Sequence, residues 1–163
     1  MKYSLTLLSV LLTSLMVLGC DSSSDNNDAQ PQSLSIDFVT LYDLDAGAET
    51  GAEPKRTVVI ADQATYESQT ARYHIQNPTT VDFSSHKVLL VDMGAKPTGG
   101  HSLEVVDVFT DNESVVAQVD FISPGEDCAV TQAFSQPVIF VEINSRDEIM
   151  VNETTRREDS CEN

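Results

Sequence analysis

The feature that most constrains the fold is a short loop rich in glycine and proline between two stretches with the composition of β-strands. Residues 94–101 read Gly-Ala-Lys-Pro-Thr-Gly-Gly-His. Three glycines and a proline require backbone angles that most residues avoid, so we expect a turn of defined shape rather than a slack connector. Apolar, β-branched runs at 87–93 and 101–109 predict a strand on each side. Shaped loops at strand ends often carry function, which makes this loop the first candidate site.

The residues around this loop occur in an order that resembles a known family. Val-Asp-Phe at 81–83 precedes the Gly-x-Lys-Pro-Thr-Gly-Gly run at 94–100, which is followed by Cys-Ala-Val-Thr-Gln-Ala at 128–133 and by Pro137. This order resembles the PrcB C-terminal domain family, which is named after a component of a protease complex, and it covers rather less than half of the chain. The resemblance implies a bacterial envelope lipoprotein without enzymatic activity, similar to a relative that associates with and stabilises a surface protease.

The two loops occur together in this resemblance, which makes their side chains candidates for partner binding. We expect them to lie at one end of the sheet and to form a contact surface for a protease or another envelope protein. The residues concerned are Lys96, Pro97, Thr98, Gly99, Gly100, His101, Thr131 and Gln132. The alternative is that Thr98, Thr131 and Gln132 form hydrogen bonds within their own loops and only maintain the loop shape.

The first 33 residues predict a leader, a lipid anchor and a tether. Residues 5–18 form a mainly apolar run after Lys2, too short for an ordinary transmembrane helix and typical of a signal peptide. The run ends in Val-Leu-Gly before Cys20, which resembles a bacterial lipobox in which Cys20 is acylated and becomes the new N-terminus. Residues 20–33 contain almost no apolar side chains and predict a flexible tether. Whether the inner or the outer membrane holds the anchor stays open at this point.

Length and charge limit what remains after cleavage. Residues 34–163 are enough for a single domain with its own core. The formal charge of −17 becomes −18 when Lys2 is removed with residues 1–19, and this argues against nucleic-acid binding, which needs basic side chains. The charge is typical of a soluble extracytoplasmic surface, or of attraction to a basic partner.

The remaining two cysteines predict a disulfide. Cys128 and Cys161 form an even pair in the oxidising compartment that a signal peptide implies. Their disulfide would close a loop of about 34 residues and stabilise the domain by roughly 3–4 kcal/mol. The alternatives are an intermolecular disulfide or two free thiols. No Cys-x-x-C occurs, so thiol redox chemistry has little support.

The periodicity predicts a mainly β fold with one helix. Strands are indicated by alternating or β-branched runs at 34–44, 55–60, 88–93, 103–109, 115–121, 138–143 and 148–152. The second run is expected to pair with the first, and a bulge is expected at 105–106. Asp62 can cap a helix over 64–73 whose face with Tyr66, Thr70 and Tyr73 packs on the sheet. Six to seven strands then form a mostly antiparallel sheet or sandwich with the helix packed on it.

No motif supports catalysis, a metal or a small-molecule cofactor. His74, His86 and His101 lack zinc-site spacing, and no Gly-x-Ser-x-Gly occurs. Lys96 precedes the glycines rather than following them, and no helix follows, so the loop does not match a phosphate-binding loop. We therefore expect a non-enzymatic interaction domain, anchored in the bacterial envelope, in the periplasm or at the cell surface.

A second interpretation is a protease inhibitor. The run Lys-Pro-Thr-Gly-Gly-His at 96–101 is similar to the Asn-Pro-Thr-Thr-Gly-Tyr loop with which chagasin-like inhibitors occlude cysteine proteases. The chain departs from that pattern because Lys96 replaces the Asn, no Trp occurs, and a second Gly-x-Gly-Gly loop is missing. An inhibitor would lower the activity of the bound protease, whereas a stabilising partner protein would preserve or raise it.

Overall fold

Seven strands and one helix make up the folded part of the protein. The structure, a computed structural model, describes residues 33–47, 54–112 and 114–158. In chain order the elements are β1 (Phe38–Asp45), β2 (Arg56–Ile60), α1 (Gln63–Arg72), β3 (Lys87–Asp92), β4 (Ser102–Asp111), β5 (Ser114–Ser123), β6 (Pro137–Ile143) and β7 (Ile149–Arg157). The expectation of a mainly β fold with six to seven strands is confirmed. Among the described residues, no helix has the length and apolar character needed to cross a bilayer.

The strands form two sheets packed as a sandwich. One sheet has the order β1-β6-β3-β2 and the other the order β4-β5-β7. A core cluster fills the space between them with side chains from both sheets, among them Leu89, Val119 and Val141. The predicted inward faces of β5 and β6 are confirmed, because Val115, Ala117, Val119, Phe121, Ile139, Val141 and Ile143 all belong to this cluster.

The helix covers the opposite face of the four-stranded sheet. Tyr66 of α1 and Tyr73, which ends it, pack with Val88, Leu90 and Phe140 in a second core cluster. The central strands β3 and β6 are therefore buried on both faces. Their continuous apolar sequences are typical of such strands. The predicted buried face of the helix is confirmed, with Tyr66, Thr70 and Tyr73 all buried.

Two predictions about the strands need correction. Strand β2 pairs with β3, not with β1, which pairs with β6 instead. The last strand runs well beyond residue 152, and among the described residues it forms the one parallel strand pair, with β5, in a mostly antiparallel arrangement. The reason is that strand pairing depends on distant apolar faces, which local periodicity does not reveal.

The first predicted strand is divided between the two sheets. The backbone N–H of Ile36 donates to the carbonyl of Val108, and Thr110 N–H donates to the carbonyl of Leu34. Only from Phe38 onward does the chain pair with β6. Residues 34–36 therefore pair with the free edge of β4 before the chain crosses to the other sheet. The bulge predicted in β4 is confirmed by a register shift between Val105 and Asp107.

Removing the helix cap should measurably lower stability. The Asp62 carboxylate accepts hydrogen bonds from the Thr65 backbone N–H (2.9 Å) and the Thr65 hydroxyl (2.8 Å), and these bonds lower the pKa of Asp62 from 3.8. We expect Asp62→Ala to lower the midpoint of thermal unfolding by roughly 2–6 °C at neutral pH. The difference from wild type should shrink as the pH falls below about 4, since the protonated carboxyl loses these bonds. Asp62→Asn, which still caps, is the control and should stay near wild type.

Candidate functional site

The glycine-rich loop at 94–101 begins next to a buried carboxylate. Asp92, the last residue of β3, is fully buried, and its Oδ1 accepts a hydrogen bond from the Gly94 N–H (2.8 Å). The neighbouring Met93 N–H donates to the carbonyl of Pro137 at the start of β6 (2.9 Å). From here the chain leaves the four-stranded sheet and enters β4 of the other sheet. The loop is thus a crossover between sheets, fixed at its first residues.

The structure brings the two predicted loops together. Lys96 and Ser135 form an antiparallel bridge, with the Lys96 N–H donating to Ser135 O (2.7 Å) and the Ser135 N–H to Lys96 O (3.1 Å). A third backbone bond joins the Gly99 N–H to Thr131 O (3.1 Å). We call the segments 94–101 and 130–135 the loop pair. Residues more than thirty positions apart in the chain therefore form one surface at this end of the sandwich.

Backbone geometry, rather than polar side chains, maintains the loop pair. Gly100 has a positive φ of 82°, which favours glycine, and a Cβ there would lie 3.1 Å from Val130 Cγ1 and 3.2 Å from Pro124 Cβ. Within the described part of the chain, no side-chain hydrogen bond is made by Thr98, Thr131 or Gln132. The side chains of Thr131 and Gln132 are also exposed, so they can contact groups outside the protein, whereas Thr98 is half-buried.

The predicted partner residues differ in exposure. Pro97, Gly100, Thr131 and Gln132 are exposed, whereas Lys96, Thr98, Gly99 and His101 are half-buried. All eight lie within the loop pair or directly at its end.

Phe134 belongs to the same surface and was missed by the sequence analysis. Its side chain is 64% exposed, directly before the buried Ser135 and Gln136. The available signal was an aromatic residue in a segment without strand periodicity, between Cys128 and Pro137. An exposed aromatic side chain at a shaped loop is typical of interaction surfaces.

His101 lies at the end of the loop in a partly apolar setting. Burial lowers the pKa of His101, and the positive charge of Lys96 lowers it further. The imidazole is therefore neutral at pH 7, and its Nδ1 is buried without a hydrogen-bond partner among the described residues. No group of three or more His, Cys, Asp or Glu side chains that could hold a metal ion occurs among those residues.

A buried polar network lies behind the loop pair. Asp92 Oδ2 accepts hydrogen bonds from the Tyr73 hydroxyl (2.5 Å) and from Gln136 Nε2 (2.9 Å). The guanidinium of Arg56 donates to the Tyr73 hydroxyl (3.1 and 3.2 Å) and lies 4.0 Å from Asp92 Oδ2. The network connects the start of the loop, the end of α1 and β2. Burial and the Asp92 hydrogen bond raise the pKa of Tyr73 to about 12.

This pKa predicts a loss of stability in alkaline solution. Because the folded state holds the Tyr73 proton more tightly than the unfolded chain, whose ordinary tyrosine pKa is 10.0, its contribution is complete below pH 10 and is lost toward pH 12. Denaturant titrations at several pH values should show a declining free energy of unfolding across that window. In Tyr73→Phe the decline should be shallower. An equally steep decline in the variant would contradict the assignment to Tyr73.

The C-terminal strand ends next to Cys128. The Glu158 N–H donates to Ser123 O (2.9 Å), which places the end of the described chain beside the turn after β5. A Cβ on Gly125 would lie 2.7 Å from the Glu158 carbonyl oxygen and 3.1 Å from Cys128 Sγ. The Glu158 carbonyl and the Cys128 sulfur thus both lie close to the same side of Gly125. Cys161 lies outside the described residues, as do Cys20 and the predicted leader and tether up to residue 32.

Gly125→Ala should loosen this end of the domain. A methyl group at 2.7 Å from a backbone oxygen forces either the turn or the end of β7 to move, so we expect a loss of about 1–3 kcal/mol in the free energy of unfolding. Glu126→Ala, which removes only an exposed ion pair with Arg157, is the control and should change stability by less than about 0.5 kcal/mol. Denaturant unfolding of both variants tests the difference. Equal stability of Gly125→Ala and wild type would contradict the close packing.

Comparison with known families agrees with the resemblance drawn from the sequence. Residues 87–144 match the family model described as PrcB C-terminal. This segment runs from the start of β3 to the end of β6 and contains the whole loop pair. No curated protein and no solved structure matched the chain.

Proposed function

We propose, from the match of residues 87–144 to the PrcB C-terminal family model, that the protein is a non-catalytic accessory subunit that binds a protease or another envelope protein through its loop pair. The observation that carries the proposal is the backbone pairing of Lys96 with Ser135 and of Gly99 with Thr131. These bonds hold two exposed segments in one rigid surface, and the matched segment contains both of them. A surface that keeps its shape without a partner loses little conformational entropy on binding.

Several features favour binding over chemistry at this surface. The side chains of Thr98, Thr131 and Gln132 are not used inside the protein, and Phe134 extends toward solvent. His101 has a buried ring nitrogen rather than an exposed one next to a nucleophile. The loop pair is thus a contact surface, whose partner is stabilised through association.

The anchor in this proposal is a lipid on Cys20, which places the domain outside the cytoplasm at the inner or outer membrane. The support is the apolar leader with its Leu-Gly-Cys end at 18–20. Cys20→Ser should move the protein from the membrane fraction to the soluble fraction. Mass spectrometry of the N-terminal peptide from the wild type should show the added mass of acyl chains on Cys20. An unmodified Cys20 in the wild type would contradict the anchor.

A disulfide between Cys128 and Cys161 completes the proposal. It is supported by the end of β7, where Glu158 lies three residues before Cys161 and, like the Cys128 sulfur, next to Gly125. The bond would hold the C-terminus beside the loop pair. Peptide mapping without reduction should yield one cross-linked pair from a monomer. Thiol labelling of both cysteines, or a cross-linked dimer, would contradict it.

The function is tested by affinity capture with the tagged full-length chain in envelopes of the native bacterium. We compare the wild type with Lys96→Ala/Thr98→Ala, and with Lys55→Ala/Thr57→Ala as a matched control. The control has the same Lys-x-Thr spacing on two exposed residues, Lys55 directly before β2 and Thr57 within it. Thermal unfolding verifies that all three are folded. Capture of the same protein by the wild type and the control, but not by the loop variant, is the expected result.

The activity of a captured protease separates the two interpretations of binding. A stabilising subunit preserves or raises proteolysis over time, whereas an inhibitor of the chagasin type lowers it at once. If the loop variant captures as much partner as the wild type, the loop pair is not the binding surface.

A further inference from the structure

Phe134 is an aromatic side chain without a structural role in the fold. Among the described residues it is the only exposed phenylalanine, since those at 38, 83, 109, 121 and 140 are buried or half-buried. It belongs to neither core cluster. A single exposed apolar side chain is common on protein surfaces, so the significance of Phe134 depends on the residues beside it in the loop pair.

The backbone under Phe134 is held on its C-terminal side. Ser135 is buried and exchanges two backbone hydrogen bonds with Lys96. The next residue, Gln136, is fully buried, and its N–H donates to Asp45 Oδ1 (2.5 Å). The backbone position from which the ring extends is therefore largely set before any partner arrives. Pre-organised aromatic residues of this kind carry much of the free energy at protein interfaces.

The register of the bridge adds a second apolar group. Lys96 and Ser135 lie opposite each other, so Pro97 and Phe134 are the next opposed residues. Because side chains alternate along extended segments, Pro97 and Phe134 share the other face. Both are exposed. We call these two exposed apolar side chains, Pro97 and Phe134, the apolar step of the loop pair.

Lys96 supplies a positive charge next to this step. No carboxylate of the described residues forms an ion pair with its ammonium group, although the chain has a net charge of −17. An unneutralised lysine beside an apolar step in an acidic protein is complementary to an apolar pocket bordered by carboxylates. The local cation also offsets the repulsion that this acidic chain would otherwise exert on carboxylates of a partner.

The position of the apolar step in the fold favours contact with a protein over contact with the bilayer. The step lies before the start of β4, whereas the chain enters the domain at the other end of β4, where Leu34 O accepts from Thr110 N–H. Ten strand residues span about 34 Å. A tether that joins the domain at Ser33 is therefore far from Phe134. The apolar step can then face away from the membrane in which the proposed lipid is inserted.

From these observations we propose that Phe134 is the central anchor of the binding surface, inserting with Pro97 into an apolar pocket of the partner whose border carries carboxylates that meet Lys96. This rests on the proposed function of the loop pair and adds the chemistry of the partner. It does not depend on the polar residues Thr98, Thr131 and Gln132 of the loop pair.

The test measures the dissociation constant between the purified captured partner and the full-length chain. The variants are Phe134→Ala, Phe134→Leu, Lys96→Ala and Leu34→Ala. Leu34 is the matched control, because it is also 64% exposed but lies at the opposite end of β4. We expect Phe134→Ala to weaken binding by roughly 30-fold or more and Phe134→Leu by clearly less. Lys96→Ala should weaken binding and reduce its dependence on salt. Leu34→Ala should stay within about twofold of wild type.

Four other results would contradict the inference, and each has a different meaning. If the wild type captures a partner and Phe134→Ala binds it equally well, Phe134 is not the central contact, while the proposed function stands. If the wild type captures nothing, both fail. Flotation of the Cys20→Ser protein with phospholipid vesicles, dependent on Phe134, would assign the step to the bilayer. Concentration-dependent dimerisation abolished by Phe134→Ala would assign it to a second copy.

Discussion

Replacing Asp92 by alanine is expected to destabilise the domain by about 3–5 kcal/mol, one of the two largest losses among the changes considered. The carboxylate is fully buried and accepts hydrogen bonds from Tyr73, Gln136 and the Gly94 N–H. Its removal leaves the buried Tyr73 hydroxyl without its acceptor and the half-buried Arg56 guanidinium without a nearby carboxylate. Unsatisfied buried polar groups cost far more than the net value of the bonds they lost.

The measurement is denaturant unfolding of Asp92→Ala beside Asp92→Asn and Tyr73→Phe. The asparagine keeps the shape and can still accept from Gly94 N–H, so an intermediate loss is expected. A double-mutant cycle between Asp92→Ala and Tyr73→Phe should show a clear coupling energy, since the two side chains share one hydrogen bond. A loss below about 1 kcal/mol in Asp92→Ala would falsify the buried network as a stabilising element.

Asp92→Ala also tests how the network is connected to the loop pair. The Gly94 N–H loses its acceptor at the first turn of the loop, so the loop should become more mobile. Hydrogen exchange of the Gly94 amide should accelerate more than that of amides in β5, which lies in the other sheet.

Phe140→Ala should be similarly damaging, with an expected loss of about 3–5 kcal/mol. The ring is fully buried in β6 and makes edge contacts with Tyr42, Tyr66 and Tyr73, with centroid separations of 5.8, 6.5 and 5.7 Å. It connects β1, the helix and the central strand. Its removal leaves a cavity among three aromatic rings that are themselves held by the backbone.

Phe134→Ala is the matched control for Phe140→Ala. Both remove a phenyl ring, but Phe134 is 64% exposed, so its loss should change stability by less than about 0.5 kcal/mol. Phe140→Leu, which fills part of the space, should cost roughly 1 kcal/mol. Thermal and denaturant unfolding measure all three. Similar losses for Phe134→Ala and Phe140→Ala would contradict the assignment of one ring to the core and the other to the surface.

The candidate site could be located from the sequence but not assembled from it. The glycines and proline at 94–100 indicated a loop of fixed shape, and the resemblance connected it with the segment around Thr131. The exposure of Phe134 and the burial of Asp92 were not apparent, because a single aromatic in a turn and a single acid after a strand have no periodic pattern. Each depends on which residues of the other segment lie opposite it.

Local signals determined the elements, while packing determined their partners. Asp62 caps the helix, and alternation set the inward faces of β5 and β6, because capping and side-chain direction depend only on residues a few positions apart. The pairing of β2 with β3, the parallel alignment of β7 on β5, and the bridge between Lys96 and Ser135 were decided by the tertiary structure. These contacts join distant segments whose apolar faces can be buried in more than one order, and only the assembled layers select among them.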